Sequence, residues 1–183
     1  MIVPLSANKT GQLEYKKGNS SLGRIDVLAR IVAEGVPSNK ARLTVLELKK
    51  DSVKSYKTAL AQSITYAVCL RTMLRSDSMC KKWWEIFGYK GELPNELTLY
   101  AVAMVPENLR TEYLKECQQL GINTLNDQVV CIGNDTIKYG NAQVSIGNDT
   151  IKYGYAFFRI ENSRVIVSDY SWKEATWRAL PEL

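Results

Sequence analysis

Nine consecutive residues near the middle of the chain, Leu97 to Val105, read Leu-Thr-Leu-Tyr-Ala-Val-Ala-Met-Val and stop at Pro106. A run with almost no polar alternation is what a strand buried on both faces looks like, because neither face meets water. Such a strand has to lie inside a sheet. The next segment, 108–120, reads as a helix closed by Gly121, and Ile122–Leu125 then begins a further strand. Strand, helix and strand at this spacing predict a parallel crossover and hence an α/β layered fold.

The preceding half supplies the rest of the sheet. Residues 24–32 and 41–49 read as two strands joined by the turn-rich Gly35-Val36-Pro37-Ser38-Asn39-Lys40, a hairpin by pattern. Residues 53–74 read as a helix with Tyr56, Leu60, Ile64, Ala67 and Leu74 along one stripe. Gln62 and Tyr66 are four apart and share a face of it. Gly and Pro break up residues 1–20, where 12–16 is at most a short strand. The expected class is α/β: a mixed central sheet flanked by helices, followed by an antiparallel β-meander at the C-terminal end.

Bulk properties narrow the function. The 183 residues carry no histidine, which excludes Ser-His-Asp and Cys-His catalysis and every His-ligated metal site. Cys69, Cys80, Cys117 and Cys131 lie too far apart in sequence for a zinc pattern and suit a reducing compartment. No charged-then-apolar leader opens the chain and no run is long enough to cross a bilayer, so the expected location is cytoplasmic, with no membrane partner. A formal charge of +5 leans mildly toward polyanions. Any chemistry must come from carboxylates, lysines, hydroxyls or thiols.

Two acids stand inside the apolar strands: Asp26 in Gly-Arg-Ile-Asp-Val-Leu-Ala, and Glu47 in Leu-Thr-Val-Leu-Glu-Leu-Lys. An ionised carboxylate buried without a partner is costly, so such residues neutralise, pair or bind a metal. Strand alternation puts Val45, Glu47 and Lys49 on one face. Two carboxylates on adjacent strands can present oxygens to Mg²⁺, which prefers six oxygen ligands at about 2.1 Å. A lysine beside them can orient a water or stabilise charge on a phosphate. The plainer alternative is that Asp26 pairs with Arg24 or Arg30, and Glu47 with Lys49. A second Glu-x-Lys, Glu14-Tyr15-Lys16, lacks the flanking apolar strand.

The order Gly23-Arg24-Ile25-Asp26, Leu46-Glu47-Leu48-Lys49, Gln62-x-x-x-Tyr66 resembles the PD-(D/E)xK nuclease superfamily. The similarity is to its RecB-like branch and, within that, to the nuclease domain of the NucS endonucleases, over roughly residues 20–125. The resemblance implies a restriction-endonuclease-like core and Mg²⁺- or Mn²⁺-dependent hydrolysis of DNA phosphodiester bonds. It implies that Asp26 and Glu47 hold the metal, with the Leu48 carbonyl as a third ligand, and that Lys49 assists the water with Gln62 and Tyr66 in support. The family's helical acid ahead of the Asp strand has no clear counterpart here. That motivates an alternative, a nuclease-fold module of weak or no activity that binds nucleic acid or a protein. Trp83 and Trp84 beside Lys81 and Lys82 fit base stacking or, more often for such aromatics, a core or protein contact.

The C-terminal third holds a tandem repeat. Ile-Gly-Asn-Asp-Thr-Ile-Lys-Tyr-Gly spans 132–140 and recurs unchanged at 146–154. Each copy carries a Gly-Asn-Asp hairpin signal. Further strands are expected at 155–160 and 165–168 around an Asn162-Ser163 turn, with a closing helix over 171–180. The repeat either presents Lys138 and Lys152 to a partner or simply lengthens a hairpin. Residues 1–125 are thus expected to form the core and 126–183 a β-rich extension packed on it. A homodimer through the Trp-rich or repeated segment is a further expectation.

Overall fold

The computed structural model describes residues 3–4, 24–32, 42–49, 57–76, 80–119, 129–132, 135–140 and 143–170. The expected short strand at 12–16, the strand at 122–125 and the helix at 171–180 lie outside these residues.

The described elements, in chain order, are β1 (Val3–Pro4), β2 (Arg24–Ile25), β3 (Val27–Ile31), β4 (Arg42–Leu48), α1 (Lys57–Leu74), α2 (Cys80–Ile86) and β5 (Thr98–Pro106). A single 3₁₀ turn (Glu107–Leu109) leads into α3 (Arg110–Gln119). Then come β6 (Val129–Ile132), β7 (Asp135–Gly140), β8 (Gln143–Ile146), β9 (Asp149–Glu161) and β10 (Arg164–Tyr170). The protein is α/β with a mixed central sheet in the order β3-β4-β5-β9-β8-β7-β6, and β10 pairs with β9. β3 and β4 run antiparallel, with Leu28 opposite Val45. β4, β5 and β9 are mutually parallel, with Glu47 opposite Ala103 and Ala103 opposite Tyr155. The parallel neighbour of β5 on its far side is therefore the long strand 149–161.

The apolar run around Leu97 lies where its composition requires. β5 sits between β4 and β9, and its residues from Leu99 to Val105 are buried. Odd-numbered residues of β4, β5 and β9, among them Val45, Leu99, Ala101, Val105, Tyr153 and Phe157, pack into the main core with the helices. α1 contributes Leu60, Ala67, Leu70 and Leu74, spaced to fall on one side of a helix, and α3 contributes Tyr113 and Leu114. The opposite face forms a smaller core of Leu46, Val102, Met104 and Ala156, flanked by Val27, Ala29, Phe158, Val167 and Tyr170.

α2 ends in a Schellman arrangement. The Gly88 N–H donates to the Glu85 carbonyl at 2.8 Å and the Tyr89 N–H to the Trp84 carbonyl at 3.2 Å. Gly88 has φ of +81°, a backbone that calls for glycine, and a Cβ there would push only on the movable end of Arg30. Trp84 is buried and stacks on Tyr89 with centroids 3.9 Å apart, and Trp83 packs on Phe87 at 5.9 Å. Arg30 covers the Tyr89 ring at 4.6 Å and donates to the Gly88 carbonyl at 2.9 Å. This pair of tryptophans is part of the core and its margin.

Two hairpin turns obey the local chemistry. Gly147 at φ +58° opens the two-residue turn between β8 and β9, the backbone that a type II′ turn demands at its first central position. Asn162 and Ser163, at +49° and +61°, both take the left-handed conformation of a type I′ turn between β9 and β10.

Candidate metal and phosphate site

The site is built where the parallel strands end. β4 carries Glu47 and Leu48 at its carboxyl end and Lys49 just beyond it. Asp26 arrives from the neighbouring strand, but not as part of a continuous one. The sequence predicts an unbroken strand over 24–32, whereas the structure interrupts it at Asp26, between β2 and β3. The reason is local. Asp26 Oδ2 accepts the Leu48 N–H at 2.9 Å, so the side chain takes a role that a backbone carbonyl fills elsewhere in the ladder. The Lys49 N–H donates the other way, to the Met104 carbonyl of β5 at 2.9 Å.

Glu47 is buried, at 5% exposure. Its Oε1 accepts from Lys49 Nζ at 3.0 Å, and its Oε2 is buried with no hydrogen-bond partner among the described residues. Burial pushes the Glu47 pKa up, the Lys49 hydrogen bond pulls it down, and the charge on Asp26 pushes it up again, with a net rise. Lys49 Nζ also donates to Gln62 Oε1 on α1, at 2.5 Å. Those two bonds use two of the three ammonium donors, and among the described residues the third has no acceptor. Gln62 stands near the start of α1, which puts it over the end of β4.

Every residue of the sequence-derived set thus has a definite place. Asp26, Glu47, Leu48, Lys49 and Gln62 are brought together by hydrogen bonds or charge. Tyr66, one turn along α1, is half-buried and packs against the main core, and it is not among the partners of Lys49. The ion pair between Glu47 and Lys49 exists. Arg30 is engaged with Gly88 and Tyr89, on the stretch of β3 that runs away from Asp26. Among the described residues there is no cluster of three or more acidic, cysteine or histidine side chains that would hold a metal by themselves. The oxygens that could serve a metal are the Asp26 and Glu47 carboxylates and the Leu48 carbonyl. An orphaned buried carboxylate oxygen beside a second carboxylate suits an oxygen-ligated divalent cation that keeps several waters.

Sequence reasoning passed over a second polar centre. Asp149, 3% exposed, opens β9 at the opposite end of the sheet. Its carboxylate accepts from Arg71 Nε at 2.8 Å, from Arg75 Nε at 2.9 Å, from Arg75 Nη2, and from the Leu97 N–H at 2.9 Å. Burial pushes the Asp149 pKa up, but the Arg75, Leu97 and Arg71 hydrogen bonds outweigh it and hold the carboxyl below its ordinary value. The available signal was the spacing of Arg71 and Arg75 on a helix, four residues apart on one face.

No family model, no curated protein and no solved structure matches this chain.

Proposed function

We propose that this protein is a metal-dependent DNA nuclease hydrolysing phosphodiester bonds, built on a restriction-endonuclease-like core. The observation that carries the reading is Glu47. It is a buried carboxylate with one oxygen on Lys49 and the other, among the described residues, without a partner, beside a second carboxylate where the parallel strands of the mixed sheet end. A purely structural ion pair gains nothing from an orphaned buried oxygen, which costs roughly 1–3 kcal/mol. A cation bound there would remove that cost.

Asp26, Glu47 and the Leu48 carbonyl would hold Mg²⁺ or Mn²⁺, which supplies Lewis-acid polarisation of the phosphate and a bound water of lowered pKa. The chain's own residues then have distinct tasks. Asp26, tied to the Leu48 N–H, fixes the end of β4. Glu47 and Gln62 hold the Lys49 ammonium from two sides and leave one N–H for a phosphate oxygen or a water. Holding it in advance avoids reorganisation when charge develops. Tyr66 supports the face of α1 that bears Gln62.

The test is cleavage of single-stranded, duplex and flapped DNA with Mg²⁺ or Mn²⁺. Both Asp26→Ala and Lys49→Ala should lower the rate by about 10²–10³-fold, the usual loss when one electrostatic stabiliser is removed. Activity unchanged in both variants would end the assignment. A second reading, a nuclease-fold module that binds nucleic acid or a protein without cutting, is favoured by the absence of a third acid among the described residues. Calorimetry separates the two: no Mn²⁺ binding at millimolar concentration together with salt-sensitive DNA binding selects the module.

A further inference from the structure

The tandem repeat is longer in three dimensions than in the motif. Aligned at a spacing of 14, Val130–Gly140 and Val144–Gly154 differ at one position, Cys131 against Ser145. The matching extends to backbone pairing. β6 and β7 set Val130 opposite Ile137 and Ile132 opposite Asp135, while β8 and β9 set Val144 opposite Ile151 and Ile146 opposite Asp149. The chain therefore holds two hairpins of the same register and nearly the same sequence. Only the second lies against β5, where Ile151 and Tyr153 enter the main core and Asp149 meets Arg71 and Arg75.

Nothing inside the repeated unit chooses the second copy over the first. The choice lies in the residues on the C-terminal side of each copy. After Gly154 the chain reads Tyr155-Ala156-Phe157-Phe158, and after Gly140 it reads Asn141-Ala142-Gln143-Val144. The first of these tails falls opposite Ala103 to Pro106 of β5. Tyr155 and Phe157 are 2% and 0% exposed there, in contact with each other at 5.0 Å, and Phe157 meets Tyr113 of α3 edge-on. With the first copy in that place, Asn141 and Gln143 would occupy those buried positions as amides among apolar neighbours, which is unfavourable.

We propose that the sheet has one berth beside β5 that either hairpin fits, that Tyr155 and Phe157 assign it to the second copy, and that the first is an interchangeable spare. The chain then has two registers 14 residues apart, one of them silenced by its tail. A slip of an even number of residues keeps each side chain on its own face, so the alternative register preserves the apolar pattern.

Two experiments test this. Removing 132–145 or removing 141–154 gives the same polypeptide, with one hairpin joined directly to Tyr155. It should melt cooperatively within about 3 °C of the full chain. Loss of a cooperative transition, or a fall beyond about 10 °C, would overturn the claim that the copies are interchangeable. The second experiment keeps the full length. Asp149→Asn should lower Tm in the parent chain, whereas Asp135→Asn should not. In a chain carrying Asn141→Tyr and Gln143→Phe, both hairpins have the favoured tail. Asp149→Asn should there lose at least half its effect on Tm, since Asp135 can serve Arg71 and Arg75, and adding Asp135→Asn should bring the full loss back. An undiminished Asp149→Asn effect in that background would show that the tail does not assign the berth.

Discussion

The two ends of the sheet each bury a carboxylate, and they treat it in opposite ways. At the amino end of β9, Asp149 is surrounded by two arginines and a backbone N–H, and both its oxygens are engaged. At the carboxyl end of β4, Glu47 is equally hidden from solvent, but one of its oxygens has no partner among the described residues and its neighbour Asp26 repels it. The pKa directions record the contrast, lowered at Asp149 and raised at Glu47. α1 links the two, with Gln62 at the open end and Arg71 at the closed one. Burial of an acid is therefore not by itself a sign of a site. What separates a clamp from a site is whether the protein has finished satisfying the charge.

The largest effect expected from this contrast is on stability at the closed end. Breaking a buried ion pair by removing one partner leaves an uncompensated charge and costs about 3–5 kcal/mol. Asp149→Asn takes the carboxylate from two arginines at once, so its Tm should fall by roughly 10 °C, given about 2–4 °C per kcal/mol for a chain of this size. Glu47→Gln should move Tm far less, because the charge it removes was only half compensated. Thermal melts of the two variants side by side decide this, and an equal loss in both would erase the distinction between the ends.

The next effect belongs to the open end alone. A ligand that binds only the folded state stabilises it by about 2.7 kcal/mol at a hundred times its Kd. Saturating Mn²⁺ should therefore raise the Tm of the parent chain by roughly 5–10 °C. It should leave the Asp26→Asn, Glu47→Gln double variant unmoved. Asp149→Asn, destabilised as it is, should keep the full metal-induced shift.

The uneven legibility of these two ends in the sequence has a physical basis. The fold class was readable because apolar periodicity is a local signal: Leu97–Val105 can only be an interior strand, and the leucines of α1 repeat at helical spacing. Glu47 and Lys49 share a face by strand alternation, and Gln62 falls near them because a helix comes next in the chain. The break at Asp26 was not legible, since it depends on which backbone N–H the side chain finds across the hairpin. Nor was the Asp149 centre, whose arginine partners lie more than 70 residues away in sequence. Within the repeat, nothing marked Asp149 as different from Asp135. That difference comes from Tyr155 and Phe157, several residues downstream.

A smaller effect sharpens the role of α1. Gln62→Ala removes one of the two bonds on Lys49 Nζ and leaves Glu47 in place. A net hydrogen bond to a charged group is worth about 1.5–3 kcal/mol, so cleavage should slow by roughly 10- to 100-fold, with Mn²⁺ affinity held within about twofold. A loss of metal binding instead would mean that Gln62 shapes the carboxylates and not the lysine.

The smallest expected effect is a slope of stability against pH, and it has opposite signs at the two ends. The Asp149 pKa is lowered by folding, so its contribution is present above the ordinary aspartate value and disappears as pH falls through the folded one. The Glu47 pKa is raised by folding. Below the ordinary glutamate value of about 4.5 both folded and unfolded chains hold the proton, and no cost exists. As pH rises from there through the folded value, the unfolded chain releases its proton first, and metal-free stability falls. In Asp26→Asn the repulsion that helps raise Glu47 is gone, so the decline should be shallower. A divalent cation on Glu47 favours the ionised form, and in its presence the decline should flatten or reverse. Denaturant titrations across pH 4 to 8, with and without Mn²⁺, read this directly. A decline that ignores both the metal and Asp26→Asn would mean that the orphaned oxygen of Glu47 answers to something other than a cation.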